Sequence, residues 1–349
     1  METIYAKMTE EELDETQIRR AGEILRNGGL VAFPTETVYG LGGDAFNPAS
    51  SRKIYEAKGR PSDNPLIVHI CRMEDLERVA LQVPREALRL AQAFWPGPLT
   101  MILPKRPELP RETTGGLDTV AVRFPSNRIA AALIDAGGGF IAAPSANRSG
   151  RPSPTLARYC REDLDGLVDM IIDGGQVGLG LESTIVDLTG ERPAILRPGF
   201  VTWEKLREVL GDVNAGPLVP SMDDHSAPKA PGMKYRHYAP KGNLTVVEGA
   251  PDKAAACIND RIRRHRAAGI RTGVICTEET RDAYIADSVK SAGSRSDENS
   301  VARELFRILR EFDDEGIQEI YAESFAADGI GRAVMNRLLK AAGQRVLHV

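Results

Sequence analysis

Apolar residues along this chain follow two spacings in turn. In "TQIRRAGEILRNGG" (residues 16–29) they recur every three or four positions, as on one face of a helix, and Gly28-Gly29 supplies a C-cap. The continuous apolar run "LVAFPT" then reads as a short buried strand. "NPASSRKIYEAKG" restarts a helix, with Asn47 as N-cap and Pro48 at its first position. Downstream, "PLIVHI", "PLTMILP", "TVAVRFP", "FIAAPS", "MIIDGG", "STIVDL" and "AILRPG" read as strands. "PREALRLAQAFW", "RIAAALIDAGG" and "TWEKLREVLG" read as helices. Helices set between β-branched runs predict an α/β fold with a partly parallel sheet. No helix separates "LTMILP" from "TVAVRFP", so that pair should be antiparallel and the sheet mixed.

After residue 211 the pattern changes. Residues 212–242 hold five prolines and no sustained period, which marks a linker or a functional loop. Beyond them "NLTVVEG", "RTGVICT" and "EIYAESF" are strands separated by helical stretches such as "ENSVARELFRILREF". The expected domains are 1–211, a linker or lid at 212–242, and a smaller α/β domain at 243–349. Two domains also suit a chain of 349 residues.

Composition narrows the function. Forty-five Lys and Arg against 49 Asp and Glu give a net charge of −4, which argues against a polycation that coats nucleic acid. The four cysteines (Cys71, Cys160, Cys257, Cys276) have no zinc spacing and read as reduced thiols of a cytosolic protein. No apolar run approaches the ~18 residues of a membrane span.

Candidate chemistry gathers where strands end. "KGRPSDNP" (58–65) places Lys58 and Arg60 two residues apart. In an extended segment both cations would point one way, at the cost of repulsion unless an anion lies between them. Thr35 and Thr37, and Ser145 and Asn147, are polar pairs at the same spacing, while Arg123 stands inside an apolar strand where an unpaired guanidinium is expensive. In open α/β sheets ligands bind beyond the strands' carboxyl ends, and hydroxyls, amides and cations converging there suit a polyanion. Taken alone, each pair reads first as a cap or a satisfied turn, and His69 as a satisfied core histidine; several pairs of matching position and character point instead to a site. "DGIGRAVMNRL" (328–338) lacks the third glycine of a dinucleotide fingerprint and reads as a helix start. "RIRRHR" (261–266) reads as a solvated helix face, and "KYRHY" (234–238) as part of a lid or an RNA-stacking segment.

The motifs "GGLVAFPTETVYGLGGDAFNPASSRKIYEAKGRPSDNPLIVHI", "WPGPLTMIL", "APSANRSGRPSPT", "GLESTIVDL" and "AILRPG" resemble the threonylcarbamoyl-AMP synthase family with its YrdC-like domain. "APGMKYRHYAP" is similar to the linker of the family's long form, although Ala230 stands where serine is more usual. The resemblance implies a YrdC-like twisted mixed open sheet with flanking helices, followed by a Rossmann-like C-terminal domain. It implies a cytoplasmic nucleotidyltransferase that joins L-threonine, bicarbonate and ATP, with Mg²⁺, into threonylcarbamoyl-AMP and pyrophosphate. Its product would go to a threonylcarbamoyl-transferase complex that modifies tRNA. The same resemblance assigns Lys58, Arg60, Thr119, Ser145, Asn147, Ser153, Arg197 and Tyr235 to ATP, with Lys58 and Arg60 catalytic. Thr35, His69, Arg123, Ala143 and Ser183 would surround threonine, with no metal held by protein ligands. Two other readings are an RNA-binding module gripping tRNA or double-stranded RNA, and a hydrogenase-maturation enzyme that uses carbamoyl phosphate. The acidic net charge disfavours the first, and the absence of a cysteine-paired zinc-finger region disfavours the second.

Overall fold

The computed structural model describes residues 2–219, 228–231 and 237–349. The chain divides into two compact units. The first comprises Met1–Ser149, Ser153–Gly178 and Glu182–Lys234, and the second Gly150–Pro152, Leu179–Leu181 and Tyr235–Val349.

Ten strands build the first unit's sheet. They are β1 (Ile4–Lys7), β2 (Val31–Phe33), β3 (Gly40–Asp44), β4 (Ile67–His69) and β5 (Leu99–Pro104). The rest are β6 (Thr119–Arg123), β7 (Ile141–Ala143), β8 (Met170–Asp173), β9 (Thr184–Asp187) and β10 (Ala194–Arg197). Their order is β1-β8-β2-β3-β7-β4-β6-β5-β9-β10. The β5–β6 pair is antiparallel as expected, and β1–β8, β2–β8, β4–β6 and β5–β9 are parallel, so the sheet is mixed. Helix α1 (Glu15–Arg26) starts where the Asp14 carboxylate accepts from the Thr16 and Gln17 amides. Helix α2 (Pro48–Lys58) starts on Asn47 and stops at Gly59, which turns left-handed with φ 60°.

Two expectations change here. Lys58 is the last residue of α2 and not part of an extended segment. The proline-rich stretch also begins inside the first unit. Asn214 pairs with the β10 edge, its carbonyl accepting from the Ile195 amide at 2.9 Å. Ala230 is wholly buried against Ile67, Ile102, Ala121 and Ile185. Short strands β1 and β3 escape the sequence reading. Strand β3 is "GLGGD", whose glycines hide any apolar alternation; a Cβ on Gly42 would lie 2.7 Å from Ile141 Cγ2.

The second unit is a parallel sheet ordered β13-β12-β14-β11-β15, made of β11 (Asn243–Glu248), β12 (Thr272–Cys276), β13 (Ser288–Ser291), β14 (Glu319–Glu323) and β15 (Val346–His348). Its long helices are Pro251–Ala267, Glu298–Asp314 and Gly329–Ala341. The last starts at the G-x-G, as the helix-start reading expects, and the first carries "RIRRHR".

Candidate active site

Strand register decides where the singled-out residues meet. Ala143 lies opposite Ile67, Ile67 opposite Ala121, and Ala121 opposite Ile102. One alternation along, His69 lies opposite Arg123 and Arg123 opposite Thr100. Opposed residues, and residues two apart, share a face of a sheet. Ala143, His69, Thr119, Arg123 and Thr100 therefore stand on one face, while Val68, Val120, Val122 and Met101 point into the core on the other. Strands β4 and β6 run against β7, so their carboxyl ends lie at the opposite edge from that of β7. The expected crevice beyond the carboxyl ends is thus a site spread across a sheet face. Thr119 opens β6 and Arg123 closes it, about 13 Å apart at strand rise.

The two cations of "KGRPSDNP" are buried, Lys58 with 2 % and Arg60 with 6 % of its surface exposed. They bond to different carbonyl groups. Lys58 Nζ donates to the carbonyl oxygens of Ser145 and Asn147 and lies 3.4 Å from Asn147 Oδ1, and the Ser145 hydroxyl donates to that same Oδ1 at 2.5 Å. Arg60 donates from Nε and Nη2 to the Asn64 carbonyl at 3.3 Å, and from Nη2 to the Pro65 carbonyl at 3.1 Å. Lysine thus fixes the Ser145–Asn147 loop, and arginine fixes its own turn. Behind that turn sits Gly115, which the sequence reading overlooked. Its φ is +61°, and a Cβ there would lie 2.9 Å from the Asp63 carbonyl oxygen. We expect Gly115→Ala to lower stability by about 1–2 kcal/mol for the left-handed residue. It should also raise KM for ATP by shifting residues 63–65; denaturation midpoints and initial rates check this, and an unchanged KM would contradict it.

At the other end of the face the side chains are tightly interlocked. The Ser183 hydroxyl is 2.7 Å from Thr100 Oγ1 and accepts from Arg197 Nη2 at 3.1 Å. Arg197 also donates to the Ser183 carbonyl at 3.0 Å and to the Pro231 carbonyl at 3.3 Å. Arg197, assigned by resemblance to the nucleotide, therefore grips a residue assigned to threonine. Thr35 Oγ1 is 2.8 Å from Thr37 Oγ1 and donates to the Val38 carbonyl at 2.7 Å. The Ser153 hydroxyl donates to Glu182 Oε1 at 2.5 Å. Arg123, 4 % exposed, has its Nη2 2.8 Å from Glu36 Oε1. Tyr235 lies outside the described residues.

His69 is buried with its Nδ1 3.0 Å from the Ile67 carbonyl, so Nδ1 carries the proton. Burial, then the neighbouring Arg123 charge, push its pKa down to about 3. The ring is therefore neutral around neutral pH. Between pH 6.5 and 3 the unfolded histidine binds a proton that the folded one refuses, so stability falls as pH falls. We expect His69→Gln to flatten the loss of stability between pH 7 and pH 5, by about 1.4 kcal/mol per pH unit at most. Parallel urea titrations of both proteins check it; identical pH dependence would contradict a buried, neutral His69.

Comparison with known proteins gives this geometry a family. A family model described as "Telomere recombination" matches residues 23–199, and another, "Threonylcarbamoyl-AMP synthase, C-terminal domain", matches residues 201–343. The threonylcarbamoyl-AMP synthase of Pyrococcus abyssi is 49 % identical over 97 % of this chain and 98 % of its own. The chain belongs to the threonylcarbamoyl-AMP synthase family. The Bacillus subtilis threonylcarbamoyl-AMP synthase is 48 % identical over 96 % of this chain and 95 % of its own. The crystal structure of P. abyssi Sua5 complexed with L-threonine superposes with a TM-score of 0.93 at 46 % identity, covering 100 % of both chains. As a member of the threonylcarbamoyl-AMP synthase family, the protein is an enzyme that makes an activated adenylate. The fold matches the expected mixed α/β sheet followed by a parallel α/β unit.

Glu36, Thr100 and Glu182 join the site without having been singled out from the sequence. The "ESTIVDL" and "PTETV" motifs contained the two carboxylates, but cations and hydroxyls drew the reading. Among the described residues no helix is long and apolar enough to cross a membrane, and no group of three His, Cys, Asp or Glu is arranged to hold a metal ion.

Proposed function

We propose that the sheet face of the first unit makes threonylcarbamoyl-AMP, with the adenylate end toward Lys58, Ser145 and Asn147 and the threonine end at His69, Arg123 and Ser183. The amine of threonine and bicarbonate give a carbamate and water. A carbamate oxygen then displaces pyrophosphate at the α-phosphorus of ATP. No side-chain nucleophile is needed, so the chain's work is positioning and charge stabilisation. The observation that carries this reading is the shared face: β6 sets Thr119 and Arg123 on it about 13 Å apart, the nucleotide group at one end and the threonine group at the other.

Arg123 suits the α-carboxylate of threonine, since a guanidinium binds a carboxylate through two parallel hydrogen bonds. Ala143 and His69 border it on the same face, and Thr35 and Ser183 offer hydroxyls for the substrate's hydroxyl. Lys58, anchored on two carbonyls, holds the Ser145–Asn147 loop where phosphate oxygens would accept its amide and hydroxyl donors. Arg60, Ser153, Arg197 and Tyr235 complete the nucleotide group in this reading. Mg²⁺ arriving on the triphosphate would neutralise phosphate charge; the donors here are mostly cations and hydroxyls, which fit a metal carried by the phosphates rather than by protein.

The linker at 212–242 is proposed as a lid. Its described residues support this, since Ala230 packs on the sheet face and Pro231 accepts from Arg197. Covering the face would keep water from the mixed anhydride. The enzyme is placed in the cytoplasm, with tRNA and a threonylcarbamoyl-transferase complex downstream. Calorimetry with ATP plus threonine and no RNA tests the reading. Saturable heat supports a small-molecule site, whereas binding to tRNA alone would favour the RNA-binding alternative.

A further inference from the structure

Glu36 has no part in the chemistry above, yet it occupies the residue on which threonine recognition rests. Both of its carboxylate oxygens are buried and neither makes a hydrogen bond, and Arg123 Nε and Nη2 are likewise buried without one. Their 2.8 Å contact has the distance of an ion pair without hydrogen-bond alignment. A buried carboxylate that gives up water for one misaligned partner is poorly satisfied. A free amino-acid carboxylate can offer Arg123 the aligned, two-pronged pairing that Glu36 does not. The exchange also leaves one carboxylate on the guanidinium in either state, so Arg123 is never buried alone. Glu36 has a way out: it lies in the bend between β2 and β3, outside any strand, and its side chain keeps 13 % exposure.

We infer that Glu36 is an internal competitor for the amino-acid carboxylate, holding Arg123 until threonine displaces it. This rests on the reading that Arg123 takes the α-carboxylate. Glu36 then sets the apparent affinity for threonine, because a site that is competent only part of the time binds more weakly by that fraction. It also rejects amines lacking a carboxylate, which cannot replace it.

The test is calorimetric titration of L-threonine, and of L-threoninamide, into the full chain and its Glu36→Gln and Glu36→Asp variants. If Glu36 holds Arg123 about nine-tenths of the time, Glu36→Gln binds threonine ~10-fold more tightly. Glu36→Asp, one methylene shorter, falls between the two. Threoninamide, carrying no carboxylate, gains nothing. A merely structural glutamate would not tighten binding. Unchanged or weaker threonine binding by variants that melt like the wild type overturns the inference alone. No threonine binding by the wild type overturns the pocket reading and this inference with it. Should Glu36→Gln not fold, Glu36→Asp carries the same comparison.

Discussion

Lys58→Ala and Arg60→Ala should each lower threonine-dependent pyrophosphate release by ~10²-fold or more. Charge held against a transferring phosphate contributes several kcal/mol to the transition state, and Lys58 is bonded directly to the Ser145–Asn147 loop. Because both are buried, the substitutions also strand carbonyl oxygens, at about 1–3 kcal/mol of stability. Rates are therefore measured at a temperature where denaturation curves show each variant folded. Lys58→Ala should lose more than Arg60→Ala in loop order, since lysine ties the 145–147 segment while arginine ties its own turn. Near-wild-type rates in both folded variants would remove the pair from the site.

The second large effect concerns the amino acid. Threonine should outperform valine by ~10³-fold or more in kcat/KM, because a site built to bond a hydroxyl leaves buried polar groups unpaired against an isostere lacking it. The hydroxyls of Thr100 and Ser183, with Arg197, already form a polar network that the substrate's hydroxyl would join and that an isostere's methyl would press against. Serine, which lacks only a methyl, should lose ~10–100-fold. Steady-state rates with the three amino acids decide it, and equal rates for valine and threonine would sink the roles of Ser183 and Thr35.

Local chemistry was readable where it depended on neighbours in sequence. Asn47 caps α2, the strands around "LTMILP" and "TVAVRFP" pair antiparallel, and the G-x-G opens a helix. What depended on strand direction was not. Nothing in "PLIVHI" or "TVAVRFP" says that β4 and β6 run opposite to β7, and that reversal puts the Ser145–Asn147 loop at the opposite edge of the sheet from His69 and Arg123. Lys58 and Arg60 looked like a matched pair because their spacing suits a strand, yet Lys58 closes a helix and Gly59 turns the chain before Arg60. Glycine-rich β3 lacked the side chains on which a pattern could be seen. Glu36 was missed because a carboxylate contacting a distant arginine leaves no trace in local spacing.

The central claim is that one sheet face joins three small molecules into an adenylate. Its most direct test is pyrophosphate release from ATP with each of the twenty amino acids, with and without bicarbonate, read beside mass spectrometry of the product. The account predicts release that requires threonine and bicarbonate together, with a product of the mass of threonylcarbamoyl-AMP. Release that is equal without bicarbonate, or indifferent to the amino acid, would contradict it.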